Sequence, residues 1–303
     1  MTYANPQYLR DTDWLFRNLN DPELRIFDVT GMLTSKLQNI GKERSYDQGH
    51  IPGAVFLDVA SAKGDLSNPN AAFPWTCLPK EQFEALMGRL GVTNDAKVVL
   101  YAATPRPGID TGPSWSTRAW WIMHHFGVRV SVLNGGWEKW KAEQRPVSTE
   151  TGSYPAAKFT ADPDWQRGLA TKEDVQGALG NPESMAVINA LSARSHAGTD
   201  PLNFGSRKGH ITGSCNVPVA SLLDQETGTF VNADAIRRLF EEAGVLSKQK
   251  VITYCGGAIA ATVDAFALAL IGFSNVAVYD GSLMEWTADP SLPMTDPGSE
   301  PGG

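Results

Sequence analysis

Three side chains in this 303-residue chain could act as sulfur nucleophiles: Cys77, Cys215 and Cys255. Cys255 stands apart because of its neighbours. Tyr254-Cys255-Gly256-Gly257-Ala258-Ile259-Ala260-Ala261 leaves an apolar, strand-like run and opens an apolar, helix-like one. Small residues let a backbone curl until several N–H groups point at one centre. A following helix adds its unsatisfied N-terminal amides and the positive end of its dipole. A thiol in such a cradle is expected to ionise below its ordinary pKa and to act as a nucleophile, and the cradle would also stabilise a persulfide anion. A buried free cysteine is equally at home as a packing residue. Packing is the reading for Cys77, before Leu-Pro in a loop, and for Cys215, before Asn-Val-Pro. Three scattered cysteines make neither a disulfide framework nor a metal cage, and no metal-ligand spacing or Ser/His/Asp order stands out. A cysteine phosphatase needs an arginine six residues after its nucleophile, where this chain has Ala261. The G-x-G-x-x-G dinucleotide fingerprint is absent from this loop.

The elements that must position Cys255 occur twice. Gly49-His-Ile-Pro-Gly-Ala54 returns as Gly209-His-Ile-Thr-Gly-Ser214. The run 98–101 after Leu90-Gly-Val92 returns as 251–254 after Ala243-Gly-Val245, and 132–140 returns as 278–286. Three motifs in one order imply a duplicated domain. Strands are expected at 25–29, 98–101 and 130–133, and at 185–189, 251–254 and 276–279. Helices are expected at 80–90, 117–126, 233–243 and 259–271, with Asn94 and Asn232 as turn or capping residues. Such alternation predicts α/β domains, each a mostly parallel sheet flanked by helices. The expected organisation is a non-catalytic domain at 1–145, a linker at 146–160 containing Pro146, Gly152 and Pro155, a catalytic domain at 161–290 and a disordered tail at 291–303. Aligning Tyr101 with Tyr254 puts Ala102 against Cys255, so one copy holds the thiol and the other does not. His50 and His210 share a repeat position, which reads as structural, a ring nitrogen bonding a backbone carbonyl.

Hydrophobic residues make up 42% of the chain and charged residues 19%, an ordinary globular balance. The net charge of −7 and the absence of a basic stripe argue against nucleic acid. No signal peptide and no membrane-spanning run is evident, so the expected location is the cytoplasm. A small anionic substrate would need a locally positive pocket.

The repeated segments and the Cys255 loop together resemble the tandem-domain rhodanese family of thiosulfate and 3-mercaptopyruvate sulfurtransferases. The resembling segments are Tyr46-Asp-Gln-Gly-His-Ile-Pro-Gly-Ala54, Val132-Leu-Asn-Gly-Gly-Trp137, Gly209-His-Ile-Thr-Gly-Ser-Cys-Asn-Val-Pro218, Cys255-Gly-Gly-Ala-Ile-Ala260 and Tyr279-Asp-Gly-Ser282. The resemblance implies two rhodanese-like domains, an inactive first copy and a six-residue loop starting at the reactive Cys255. Sulfur would pass from a small anionic donor through a Cys255 persulfide to cyanide or a thiol, without metal or organic cofactor. Gly256, Gly257, Ala258, Ile259 and Ala260 would bind the substrate through their backbone. The chain departs from the family pattern at Ala258, usually Gly, and at Ala260, usually Thr or Ser. Thiosulfate-type loops carry two cations where Gly256 and Gly257 stand here. The family's Asp-Ala-Arg is Asn189-Ala190-Leu191, and its substrate-binding arginine falls on Ser195. Arg194 and Arg207 are then the expected donor-binding cations. The alternative is a catalytically silent binding or regulatory module of the same fold.

Overall fold

The computed structural model describes residues 2–106 and 111–297. The chain divides into two units: Asn5–Gln166 with Gln225–Phe230, and Met1–Ala4 with Arg167–Asp224 and Val231–Gly303. Two short segments thus cross the simple division into halves, for local reasons. The Tyr3 hydroxyl donates to Val231 O at 2.7 Å, and Phe230 N donates to Asn134 Oδ1 at 2.9 Å.

In the first unit, strands β1 (Leu9–Arg10), β2 (Leu24–Asp28), β3 (Val55–Phe56), β4 (Lys97–Tyr101) and β5 (Arg129–Leu133) form one sheet in the order β1-β5-β4-β2-β3, with every pair parallel. Helices α1 (Thr12–Asn18), α2 (Gly41–Arg44), α3 (Lys80–Arg89), α4 (Gly112–His125) and α5 (Gly136–Ala142) complete it. α4 begins five residues earlier than the apolar spacing predicts, with Pro113 near its start, where a missing N–H costs nothing. Residues 146–160 carry no helix or strand but are pinned to this unit: Ser148 and His50 exchange backbone hydrogen bonds, and Gly152 N reaches the Tyr46 hydroxyl at 3.3 Å.

The second unit repeats the plan. Strands β6 (Leu169–Ala170), β7 (Met185–Asn189), β9 (Cys215–Asn216), β10 (Lys250–Tyr254) and β11 (Val276–Tyr279) form a parallel sheet in the order β6-β11-β10-β7-β9. Its helices are α6 (Lys172–Leu179), α7 (Ala193–His196), α8 (Ala233–Glu242), α9 (Ala261–Leu270) and α10 (Ser282–Trp286). The central strands are continuous apolar runs, as sheets covered on both faces require. Asn232 caps α8, accepting from Ala235 N at 3.0 Å, whereas Asn94 caps no helix and exchanges bonds with the backbone of Thr160. β8 (His210–Ile211) pairs antiparallel with β12 (Met294–Thr295). Residues 291–297 therefore include a strand where a disordered tail was expected; Met294 and Thr295 find hydrogen-bonding partners that composition does not reveal. The rest of the expected tail, 298–303, lies outside the described residues.

The repeat is visible bond by bond. Ile51 N donates to the Tyr101 hydroxyl at 3.1 Å, and Ile211 N donates to the Tyr254 hydroxyl at 3.0 Å. Asp28 Oδ1 accepts from Thr30 N, and Asn189 Oδ1 accepts from Leu191 N, both at 2.9 Å. Burial pushes the Asp28 carboxyl up to about 6, against the hydrogen bonds that Thr30 and Tyr101 give it. α9 is apolar on nearly every side and almost wholly buried. Its charged exception is Asp264, whose two carboxyl oxygens are buried with no hydrogen-bond partner among the described residues; burial alone pushes its pKa well above the carboxylate range.

Candidate active site

Cys255 sits at the C-terminal end of β10, the middle strand of the second sheet, and is 3% exposed. Residues 256–260 turn from the strand into α9. The Thr253 hydroxyl anchors this helix start by donating to Ala261 O at 2.9 Å. The backbone amides of Ala261, Gly257, Ile259 and Ala260 lie around the Cys255 sulfur and favour its thiolate, each pulling the thiol's pKa down. This is the convergent cradle that the small residues and the strand-to-helix junction imply. Ala258 takes φ +61°, a left-handed conformation that favours glycine.

The loop is held from behind by Ser282. Its hydroxyl accepts from Cys255 N at 3.2 Å and from Ala258 N at 3.1 Å, and donates to Tyr279 O at 2.8 Å. Ser282 is fully buried with φ +47°. Leu283 N and Met284 N donate to Cys255 O and Gly256 O, both at 3.0 Å. The other unit supplies the contrast. There Trp137 N donates to Ala102 O at 3.2 Å, the counterpart of the Leu283 bond, and Gly136 stands in the place of Ser282 with φ +53°. The thiol and the hydroxyl that holds its loop are both present in one unit and both missing from the other. Part of the first unit's counterpart loop, 107–110, lies outside the described residues.

The ring of Phe204 covers Gly256 so closely that a Cβ on that glycine would lie 2.5 Å from it. Beside the loop is a small cleft whose walls include Leu191, Phe204 and Leu283.

The model of the rhodanese-like domain matches residues 11–143 and 176–289. The chain belongs to the rhodanese family. It is 32% identical over 298 residues to the sulfur carrier protein TtuD of Thermus thermophilus, covering 94% of this chain and 95% of that protein. It is 33% identical over 286 residues to the thiosulfate sulfurtransferase of Rattus norvegicus, covering 92% and 91%. Among solved structures, SseA from Escherichia coli, described with the rhodanese fold and the catalytic mechanism of 3-mercaptopyruvate sulfotransferases, superposes with a TM-score of 0.75 at 31% identity, covering 91% of this chain and 98% of that one. The expected fold, two rhodanese domains each built on a parallel sheet, is the one found.

Within this rhodanese frame several side chains stand elsewhere than the sequence implied. The Cys255 thiol is not lowered: burial pushes it above its ordinary value, and the four amides only partly oppose that. The sequence argument weighed the cradle and not the desolvation. Arg207 does not face the cleft; its guanidinium donates to Leu292 O, Trp286 O and Asp289 O at 2.7, 3.1 and 2.8 Å and ties a loop together. Arg194 is exposed and outside the cleft wall. Cys215 packs against Val187 O, and burial pushes its thiol up to about 11. Cys77 is buried. His50 faces the carbonyls of Tyr46 and Glu150, and His210 faces that of His196, on whose ring it stacks at 3.7 Å. Burial drops His196 to about 4. Among the described residues no helix is long and apolar enough to cross a membrane.

Ser282 is the site residue that sequence reasoning passed over. The signal was available: aligning the repeats sets Gly136 against Ser282 just where Ala102 is set against Cys255.

Proposed function

We propose that this rhodanese is a sulfurtransferase whose second unit carries the sulfur on Cys255 and whose first unit is non-catalytic. The observation that carries the reading is the convergence of four backbone amides on one sulfur, in the copy that keeps both the thiol and its supporting hydroxyl. In the first half-reaction the Cys255 thiolate attacks the donor sulfur. With thiosulfate the S–S bond breaks and sulfite departs with the electron pair. With 3-mercaptopyruvate the C–S bond breaks, the pair stays on carbon, and the resulting enolate takes up the proton released by the donor thiol to give pyruvate. In both cases a Cys255 persulfide anion remains. In the second half-reaction cyanide or a thiolate attacks the outer sulfur and the Cys255 thiolate is released. The amides of Gly257, Ile259, Ala260 and Ala261 spread the negative charge of thiolate and persulfide alike. The names of the relatives, a sulfur carrier and sulfurtransferases for thiosulfate and for 3-mercaptopyruvate, support the same chemistry.

Between donors the reading favours 3-mercaptopyruvate. The loop carries no cation to offset the two charges of thiosulfate, since Gly256 and Gly257 stand at those positions. Intact mass after incubation with each donor is the test. A gain of one sulfur that is lost on adding cyanide, and is absent in Cys255→Ser, is expected. No gain with either donor would make this a silent member of the family.

A further inference from the structure

Cys255 is 3% exposed, and Gly256, Gly257 and Ala258 are buried with it, so a reacting partner meets the sulfur only after something over the loop moves. Most of what surrounds the loop is fixed. The Ser282 hydroxyl holds Cys255 N and Ala258 N, and Leu283 N and Met284 N hold Cys255 O and Gly256 O. The amides of Gly257, Ile259, Ala260 and Ala261 stand around the sulfur itself. The exception is Phe204, whose Cδ1, Cγ and Cβ would lie 2.5, 2.6 and 2.7 Å from a Cβ on Gly256. Phe204 belongs to the strap between α7 and β8, which is pinned on both sides of it. Asp200 N donates to Arg194 O at 3.2 Å, and the Asp200 carboxylate accepts from the hydroxyls of Ser192 and Ser195 and from Leu202 N. Ser206 gives Thr287 two hydrogen bonds, N to Oγ1 at 3.0 Å and Oγ to O at 2.6 Å, and Arg207 is bound to three carbonyls. Between these anchors Phe204 forms no hydrogen bond among the described residues, is 36% exposed and borders the small cleft. Packing alone holds its ring on the loop.

We propose that Phe204 is a specificity-determining residue of this site: its ring covers the Cys255–Gly256 peptide, and turning the ring off Gly256 admits the reacting partner to the sulfur. The proposal rests on the reading above for its reaction, but the cover acts on any reagent that approaches Cys255. With the strap ends fixed and the ring in place the passage is narrow, and it sorts acceptors by their bulk next to the attacking atom. Cyanide, two atoms in line, enters with little displacement of the ring. A thiol carried on a large body must turn the ring out first. In both cases the acceptor's electron pair forms the bond to the outer sulfur, the S–S bond of the persulfide breaks, and its pair returns to Cys255 as thiolate. The cover also retains the sulfur between the two half-reactions, because a persulfide open to solvent is discharged by any thiolate that collides with it. Gly256 is part of the same device, since a side chain there would keep the ring from approaching so closely.

The test uses the full chain and two readouts, each a ratio of rates, so that a change in the ionisation of Cys255, which moves both rates alike, cancels. First, the rates at which methyl and benzyl methanethiosulfonate modify Cys255 are compared by peptide mass, which separates Cys255 from Cys77 and Cys215. In Phe204→Ala the benzyl-to-methyl ratio should rise about tenfold, the effect of no longer displacing a partly buried aromatic ring. Phe204→Tyr, which keeps the ring, should hold the parent ratio. Second, protein loaded with sulfur is discharged by cyanide or by glutathione, and the glutathione-to-cyanide ratio should rise by a similar factor in Phe204→Ala. An unchanged benzyl-to-methyl ratio overturns the proposal, and so does a Phe204→Tyr variant that behaves as Phe204→Ala does. A first ratio that rises while the second stays at the parent value also overturns it, since the ring would then screen reagents and not acceptors. If the parent takes up no sulfur from either donor, the sulfurtransferase reading fails on its own, and the benzyl-to-methyl ratio still decides whether Phe204 covers Cys255.

Discussion

Replacing Ser282 by alanine should loosen the reactive loop without touching the thiol. The Ser282 hydroxyl is the acceptor for two buried amides, Cys255 N and Ala258 N, and donates to Tyr279 O. Alanine leaves both amides without that acceptor, in a place where residue 282 has no exposure. An orphaned buried donor costs about 1–3 kcal/mol, so the pair should cost about 3 kcal/mol after partial relaxation. For a unit of this size that corresponds to a fall in Tm of about 6–12 °C. Alanine keeps the left-handed strain at φ +47°, whereas Ser282→Gly removes it and should be less harmful by about 1 kcal/mol. Thermal unfolding of the two variants measures the stability, and the rate of sulfur uptake at Cys255 measures the loop. Uptake should slow at least about tenfold in both, because the amides no longer converge on the sulfur. If Ser282→Ala unfolds within about 1 °C of the parent and loads sulfur at the parent rate, the hydroxyl is not what holds the loop, and the pairing of Ser282 with Cys255 against Gly136 with Ala102 has another origin.

Asp264→Leu should stabilise the second unit, and more so as pH rises. The folded carboxyl is held well above its ordinary pKa by burial, so above the carboxylate range the unfolded chain releases a proton that the folded chain keeps, and stability falls with pH at up to about 1.4 kcal/mol per unit. Between pH 5 and pH 7 the variant should therefore gain steadily on the parent in urea unfolding, and parallel pH dependences would count against a buried neutral carboxyl. Gly256→Ala should lower sulfur uptake, because its Cβ would meet the Phe204 ring at 2.5 Å, and adding Phe204→Ala should recover most of the loss; additive effects of the two changes would deny the contact. Since burial raises the Cys255 thiol above its ordinary value, the rate of sulfur uptake by the free protein should still be rising at about pH 8.5, and a plateau below pH 7 would mean that the thiolate is more stable than its surroundings allow.

What the sequence made legible was whatever depended on near neighbours or on the repeat. The long strands at 98–101 and 251–254, the small residues after Cys255 and the equivalence of Tyr101 with Tyr254 all follow from local pattern. The edge strands β1, β3, β6 and β9 have two residues each, too few to show a period, and β12 is disguised by prolines around it. Arg207 reads as surface charge or ligand because its three carbonyl partners lie 79 to 85 positions away. The direction of the Cys255 shift depends on how much water the fold removes, which no spacing encodes. Asp264 is hardest of all. One acidic residue in an apolar helix is ordinarily its solvent face, and only the packing of α9 on all sides makes it otherwise.

The tyrosine clamps carry a consequence for how this family diversifies. In each unit the end of the central strand is tied to the His-Ile turn through a buried hydroxyl, Tyr101 to Ile51 and Tyr254 to Ile211. Neither tie uses an atom of the loop that follows the tyrosine. Scaffold and reagent are thus mutationally insulated from one another. The six positions from Cys255 onward could be rewritten while the frame that presents them keeps its geometry. The same insulation makes residues 255–260 a natural cassette: loops from donors of different charge could be exchanged into the second unit, with the first unit serving as an unaltered reference within the same molecule.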